Sequence, residues 1–118
     1  MAEPHLSLLV LKSSQMPELV AFYQALGITF AEEKHGKGPI HFAAVMGELI
    51  FEIYPLGVDQ PDPVESTRLG FRLANLELVL SQLQERGVPV KSPMRATAWG
   101  INAVVRDPDG RPVELYQR

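Results

Sequence analysis

A chain of 118 residues has the length of one domain, and at that size roughly 65% of the unfolded surface is buried on folding, enough for a core without staples. It contains no cysteine, which excludes disulfides, thiolate zinc sites and thiol nucleophiles together and suits a reducing compartment. A formal charge of −3 argues against a phosphate backbone, and so against nucleic acid, as partner.

The segment Met1 to His5 has no basic region ahead of an apolar one, and no apolar run approaches the roughly 20 residues a membrane span needs. The expectation is a soluble, cytoplasmic protein with no membrane contact. Residues 6–12 read as a strand that is apolar on both faces, as in a buried sheet. Ser13-Ser14-Gln15 can cap a helix over Gln15 to Leu26, with Pro17 tolerated in its first turn and Gly27 stopping it. The sequence predicts a short strand over Ile28 to Glu32 and a loop over 34–39. A hairpin follows, from Ile40 to Val45 and Leu49 to Tyr54, turning near Gly47.

Pro55, Pro61 and Pro63 among acidic residues mark a linker over 56–66. The order then repeats: a strand over 67–73, a helix over 75–86 stopped by Gly87, and an edge piece over 88–91 limited by Pro89. After a loop through Pro93 come strands over 100–106 and 112–117, joined at Asp107-Pro108-Asp109-Gly110. That tetrapeptide supplies the preset φ, side-chain cap and positive-φ residue of a tight turn.

Phe51-Glu52-Ile53-Tyr54 and Val113-Glu114-Leu115-Tyr116 are the same phrase, 62 residues apart. Each is a β-prone run with a carboxylate in second place, and a buried glutamate is costly unless it meets a cation or a proton. The helices repeat at nearly the same offset. Two β-α-β-β-β modules are therefore expected within one domain, 1–118: module one at 1–55 and module two at 67–118.

Ala21-Phe22-Tyr23-Gln24-Ala25-Leu26-Gly27 and Arg106-Asp107-Pro108-Asp109-Gly110-Arg111-Pro112-Val113-Glu114-Leu115, with this module order, resemble the vicinal oxygen chelate superfamily. That superfamily includes glyoxalase I, extradiol dioxygenases and the bleomycin and fosfomycin resistance proteins. The resemblance implies an α+β fold in which both modules curl their mixed sheets into a cup with the helices outside. It also implies a divalent metal ion (Zn, Ni, Mn or Fe) held by the first and last strand of each module and acting as a Lewis acid on substrate oxygens.

Carried over by position, the last-strand ligands are Glu52 and Glu114, while the first-strand positions hold Leu8 and Arg68. His5 can complete a metal set with Glu52 and Glu114 if the first strand is bulged. The same glutamates can act as general bases, or pair structurally with Arg68 or Arg72. His5 can equally be a terminal residue with no role. His41 can serve as ligand or acid–base group, or make a local hydrogen bond. Arg68 can bind a substrate carboxylate or neutralise Glu114. Trp99 can wall the pocket or anchor its loop. Nothing in His35-Gly36-Lys37-Gly38-Pro39 resembles a phosphate-cradling loop.

The leading expectation is a glyoxalase-like lyase or isomerase acting on a small oxygenated metabolite, with Glu52 and Glu114 catalytic and Arg68, His41 and Trp99 contacting substrate. The alternative is a metal-free small-molecule binding protein of the bleomycin-resistance type, and a third is a regulatory module with a plugged cup. The resemblance also implies a homodimer.

Overall fold

The computed structural model describes residues 6–57 and 67–118. It divides into two units, Met1–Asp62 and Pro63–Arg118. In the first unit β1 (Leu8–Ser13), α1 (Met16–Ala25), β2 (Ala31–Glu33), β3 (His41–Met46) and β4 (Leu49–Pro55) follow in chain order. The strands form a four-stranded sheet in the order β1-β4-β3-β2. β1 runs parallel to β4, and the other pairs are antiparallel.

Strand alternation decides what each face does. Leu11 and Ser13 of β1 and Phe51 and Ile53 of β4 are buried, on the face that packs α1. The helix contributes Leu19, Val20, Phe22 and Tyr23, and the Tyr23 ring meets Phe51 edge-on at 5.1 Å between centroids. Each such apolar side chain contributes about 1.5–3 kcal/mol by leaving water.

The second unit repeats the order with β5 (Leu69–Leu73), α2 (Leu76–Glu85), β6 (Val90–Thr97), β7 (Gly100–Arg106) and β8 (Pro112–Gln117). Its sheet order, β5-β8-β7-β6, is that of the first unit, and β5 is again parallel to β8. Leu76, Leu80 and Leu83 of α2 are buried, as are Leu73, Val113 and Leu115. No described helix is long and apolar enough to cross a membrane.

Both helices end in the same way. The Ile28 N–H donates to the Tyr23 carbonyl and Gly27 N–H to Gln24, and Val88 and Gly87 do the same to Leu83 and Gln84. Such a Schellman ending needs a left-handed residue, supplied by Gly27 at φ +105° and Gly87 at φ +81°. The helix starts depart from expectation. Neither N-cap side chain bonds to its helix. Ser13 Oγ instead accepts the Gln15 N–H at 3.0 Å. At α2, Gln117 of β8 takes the Leu76 N–H on its Oε1 at 3.0 Å and donates Nε2 to the Ala74 carbonyl at 2.8 Å, a long-range cap worth about 1 kcal/mol.

Two strands are also displaced. β2 begins at Ala31, because Ile28 is taken into the helix ending. β6 runs eight residues through Pro93, where the sequence predicts a loop. The pairing with β7 shifts register on both sides of Ser92, and a bulged edge strand tolerates a residue without an N–H.

Candidate functional site

In the first unit, Glu52 alternates onto the face opposite α1, between Val10 of β1 and Ala43 of β3. Leu8 and Val10 share that face and are 52% and 40% exposed. Glu33 at the end of β2 pairs directly with His41 at the start of β3. The loop between them is tight: a Cβ at Gly38 would stand 3.1 Å from the His35 carbonyl oxygen, closer than most side chains sit, which favours glycine there.

His41 is 1% exposed, and its ring stacks on Tyr54 with centroids 4.2 Å apart and planes 7° from parallel. Its Nδ1 lies 3.2 Å from the Pro39 carbonyl oxygen. A carbonyl only accepts, which assigns the Nδ1 proton. Nε2 then points at Glu33 Oε1 at 3.4 Å, Glu52 Oε2 at 3.5 Å and the Tyr54 hydroxyl at 3.4 Å. His35 completes the group, with Nε2 3.3 Å from Glu33 Oε1. Burial, followed by the charges of Glu52 and Glu33, raises the Tyr54 pKa above its ordinary value, so the phenol keeps its proton at neutral pH.

In the second unit, Glu114 lies on the face opposite α2, between Gly70 of β5 and Val104 of β7. Arg68 Nε stands 3.4 Å from its Oε2, with the two side chains 66% and 26% exposed. So exposed a pair contributes about 0–1 kcal/mol to stability, and the guanidinium is available to another anion. Arg72 lies over the Tyr116 ring at 5.4 Å. Asn102 faces Tyr116 across the ladder; it is 4% exposed, and its Oδ1 has no hydrogen-bond partner among the described residues.

Trp99 is 78% exposed in the β6–β7 turn. The turn is held by Thr97, whose Oγ1 donates to the Gly100 carbonyl at 2.6 Å and accepts the Trp99 N–H at 3.1 Å. Backbone and threonine anchor the loop, which leaves the indole face open. His5 lies outside the described residues.

Among the residues singled out from the sequence, the structure joins His41 to Glu52 and Arg68 to Glu114. Glu33, His35 and Tyr54 were not assigned to the site by the sequence reading, and neither was Asn102. The signal for the first two is Glu-x-His at 33 and 35, which period-2 spacing puts on one side of a strand ending at Glu33. With that strand ended at Glu32, the pairing of Glu33 with His41 is hidden.

A family model described as the Glyoxalase/Bleomycin resistance protein/Dioxygenase superfamily matches residues 5–115. The chain belongs to this superfamily. Among solved structures it is similar to TnmS3, an antibiotic binding protein from Streptomyces sp. CB03234, at 26% identity over 99% of this chain and 98% of that one, with a TM-score of 0.76. It is similar to an integron cassette protein from the mobile metagenome of V. cholerae at 26% identity over 99% and 97%, TM-score 0.73. Lactoylglutathione lyase from Agrobacterium tumefaciens shares the fold at 14% identity over 99% and 96%, TM-score 0.70. No curated protein matches the chain.

The positions that the resemblance carries over as metal ligands are Leu8, Glu52, Arg68 and Glu114. An alkyl chain and a guanidinium stand in the two first-strand places, and the guanidinium already meets Glu114 at 3.4 Å. A fixed cation there opposes a divalent ion electrostatically, and two carboxylates are fewer donors than such an ion needs. Among the described residues, this donor set does not fit the metal.

Proposed function

We propose that this member of the superfamily is a small-molecule binding protein whose ligand is recognised without a metal at the family's usual positions. The observation that carries the reading is the Arg68–Glu114 pair at 3.4 Å: the carboxylate that would bind a metal or take a substrate proton is neutralised by the residue in the first-strand place. The open face of the second sheet also offers Arg68 and Arg72 to an oxygen-rich ligand. Trp99 supplies an exposed aromatic platform. The likeness to an antibiotic binding protein over nearly the whole of both chains supports the same class of ligand.

Bleomycin, freed of metal, is the first probe. Trp99 is the sole tryptophan, so its fluorescence reports binding near the β6–β7 turn. Titration is expected to be saturable and unchanged by EDTA. Arg68→Ala is expected to weaken binding by about tenfold or more, the equivalent of one lost charge-assisted hydrogen bond. Binding or turnover that requires an added divalent metal, and is lost in both Glu52→Gln and Glu114→Gln, would restore the metalloenzyme reading.

The proposed assembly is a homodimer. Leu8, Val10 and Val45 alternate onto the open face of the first sheet and are 52%, 40% and 74% exposed, a row of apolar side chains that a second copy would cover. Light scattering at micromolar concentration is expected to give twice the chain mass. A monomer mass at that concentration counts against the dimer and leaves the ligand reading standing.

A further inference from the structure

We propose that Glu33, His35 and His41 form a zinc site at the β2–β3 edge of the first sheet, with Glu52 standing beside it at His41. None of the three donors is at a position that the resemblance carries over, and the site does not rest on the binding role proposed above. The inference starts from His41. Its Nδ1–H is committed to the Pro39 carbonyl at 3.2 Å, so in the neutral ring the Nε2 lone pair faces two carboxylates, Glu33 Oε1 at 3.4 Å and Glu52 Oε2 at 3.5 Å. Lone pair against anion is repulsive, and the one hydroxyl proton of Tyr54, 3.4 Å from Nε2, can serve only one of these three acceptors. A cation between these atoms turns the repulsion into ligation.

The spacing suits zinc. Zn–N and Zn–O bonds are about 2.0–2.2 Å, so neighbouring ligand atoms of a tetrahedron stand roughly 3.3–3.5 Å apart. Glu33 Oε1 is 3.3 Å from His35 Nε2 and 3.4 Å from His41 Nε2, and Glu52 Oε2 is 3.5 Å from His41 Nε2. The ligand atoms of Glu33, His35 and His41 all lie within 4.8 Å of one another. Mixed imidazole and carboxylate donors select a borderline ion such as Zn2+ over Ca2+ or Mg2+. The carbonyl on Nδ1 is the outer contact that zinc-bound histidines ordinarily make. Glu33 and His35 side chains are 39% and 73% exposed, which gives the ion its way in from solvent.

The test uses the full chain, purified without a polyhistidine tag, stripped with chelator and titrated with Zn2+ by calorimetry. One Zn2+ per chain is expected, and Co2+ in its place is expected to show the visible absorption of a four-coordinate site. Removing buried His41 can unfold the sheet, so exposed His35 carries the decisive variant. His35→Ala is expected to weaken Zn2+ binding by at least roughly 10-fold, and Glu114→Gln to leave it unchanged. The proposal is overturned if the parent chain takes up no Zn2+. It is equally overturned if His35→Ala binds as the parent does, or if Glu114→Gln abolishes binding.

Discussion

Asp107→Ala is expected to lower stability by about 3–5 kcal/mol, the cost of removing one partner from a buried ion pair. Asp107 and Arg111 are each 3% exposed, at either end of the turn between β7 and β8. Arg111 Nη1 donates to Asp107 Oδ2 at 3.2 Å and to Asp109 Oδ2 at 3.0 Å. Asp107 Oδ1 also accepts the backbone N–H groups of Asp109 at 2.9 Å and Arg111 at 3.0 Å. Burial lowers the Arg111 pKa, but the charge of Asp107 and the hydrogen bonds that Arg111 donates to Asp109 and Asp107 more than offset it, so the net shift is upward. Alanine at 107 would leave the buried Arg111 guanidinium with Asp109 as its remaining partner in the turn.

Urea unfolding followed by circular dichroism measures this loss. Asp107→Asn keeps the acceptor for the backbone and should lose less. The double change Asp107→Ala with Arg111→Met should lose less than the sum of the two single changes, because both remove the same ion pair. It should still fall short of the parent chain, because two turn N–H groups lose their acceptor. A loss below about 1 kcal/mol in Asp107→Ala would show that the pair is solvated, as surface pairs are.

The second large effect is expected at the residue beside Glu52. Phe51 is 1% exposed and meets the Tyr23 ring at 5.1 Å and the Phe30 ring at 5.5 Å, both edge-on. Phe51→Ala removes the ring on which α1 and the start of β2 converge, and should cost about 3–5 kcal/mol. Phe51→Leu should recover most of it by refilling the space. A thermal midpoint unchanged in Phe51→Ala would mean that the first unit is not organised around this ring.

The module repeat was legible because hydrophobic periodicity is a local property. Phe51-Glu52-Ile53-Tyr54 and Val113-Glu114-Leu115-Tyr116 alternate with period two. Both helices carry apolar residues at helical spacing and stop at glycine, and none of these signals needs a distant partner. Asp107-Pro108-Asp109-Gly110 spelled its turn for the same reason. Family membership was legible from these motifs, since they sit in the order the superfamily uses.

Register and depth were not legible, and these decided the site. Strand β6 passes through Pro93 only because β7 tolerates a bulge beside it, and Gln117 caps a helix that begins 41 residues earlier. His35 read as part of a loop because its partners, Glu33 and His41, meet only when β2 and β3 pair. Arg68 was marked in the sequence as a departure from the metal pattern. That it stands against Glu114, rather than merely near it in the chain, follows from the parallel pairing of β5 with β8. Alternation along a strand tells which residues share a face; the distance between two side chains on neighbouring strands is set by hydrogen bonds between segments far apart in the chain, and only the folded sheet fixes those.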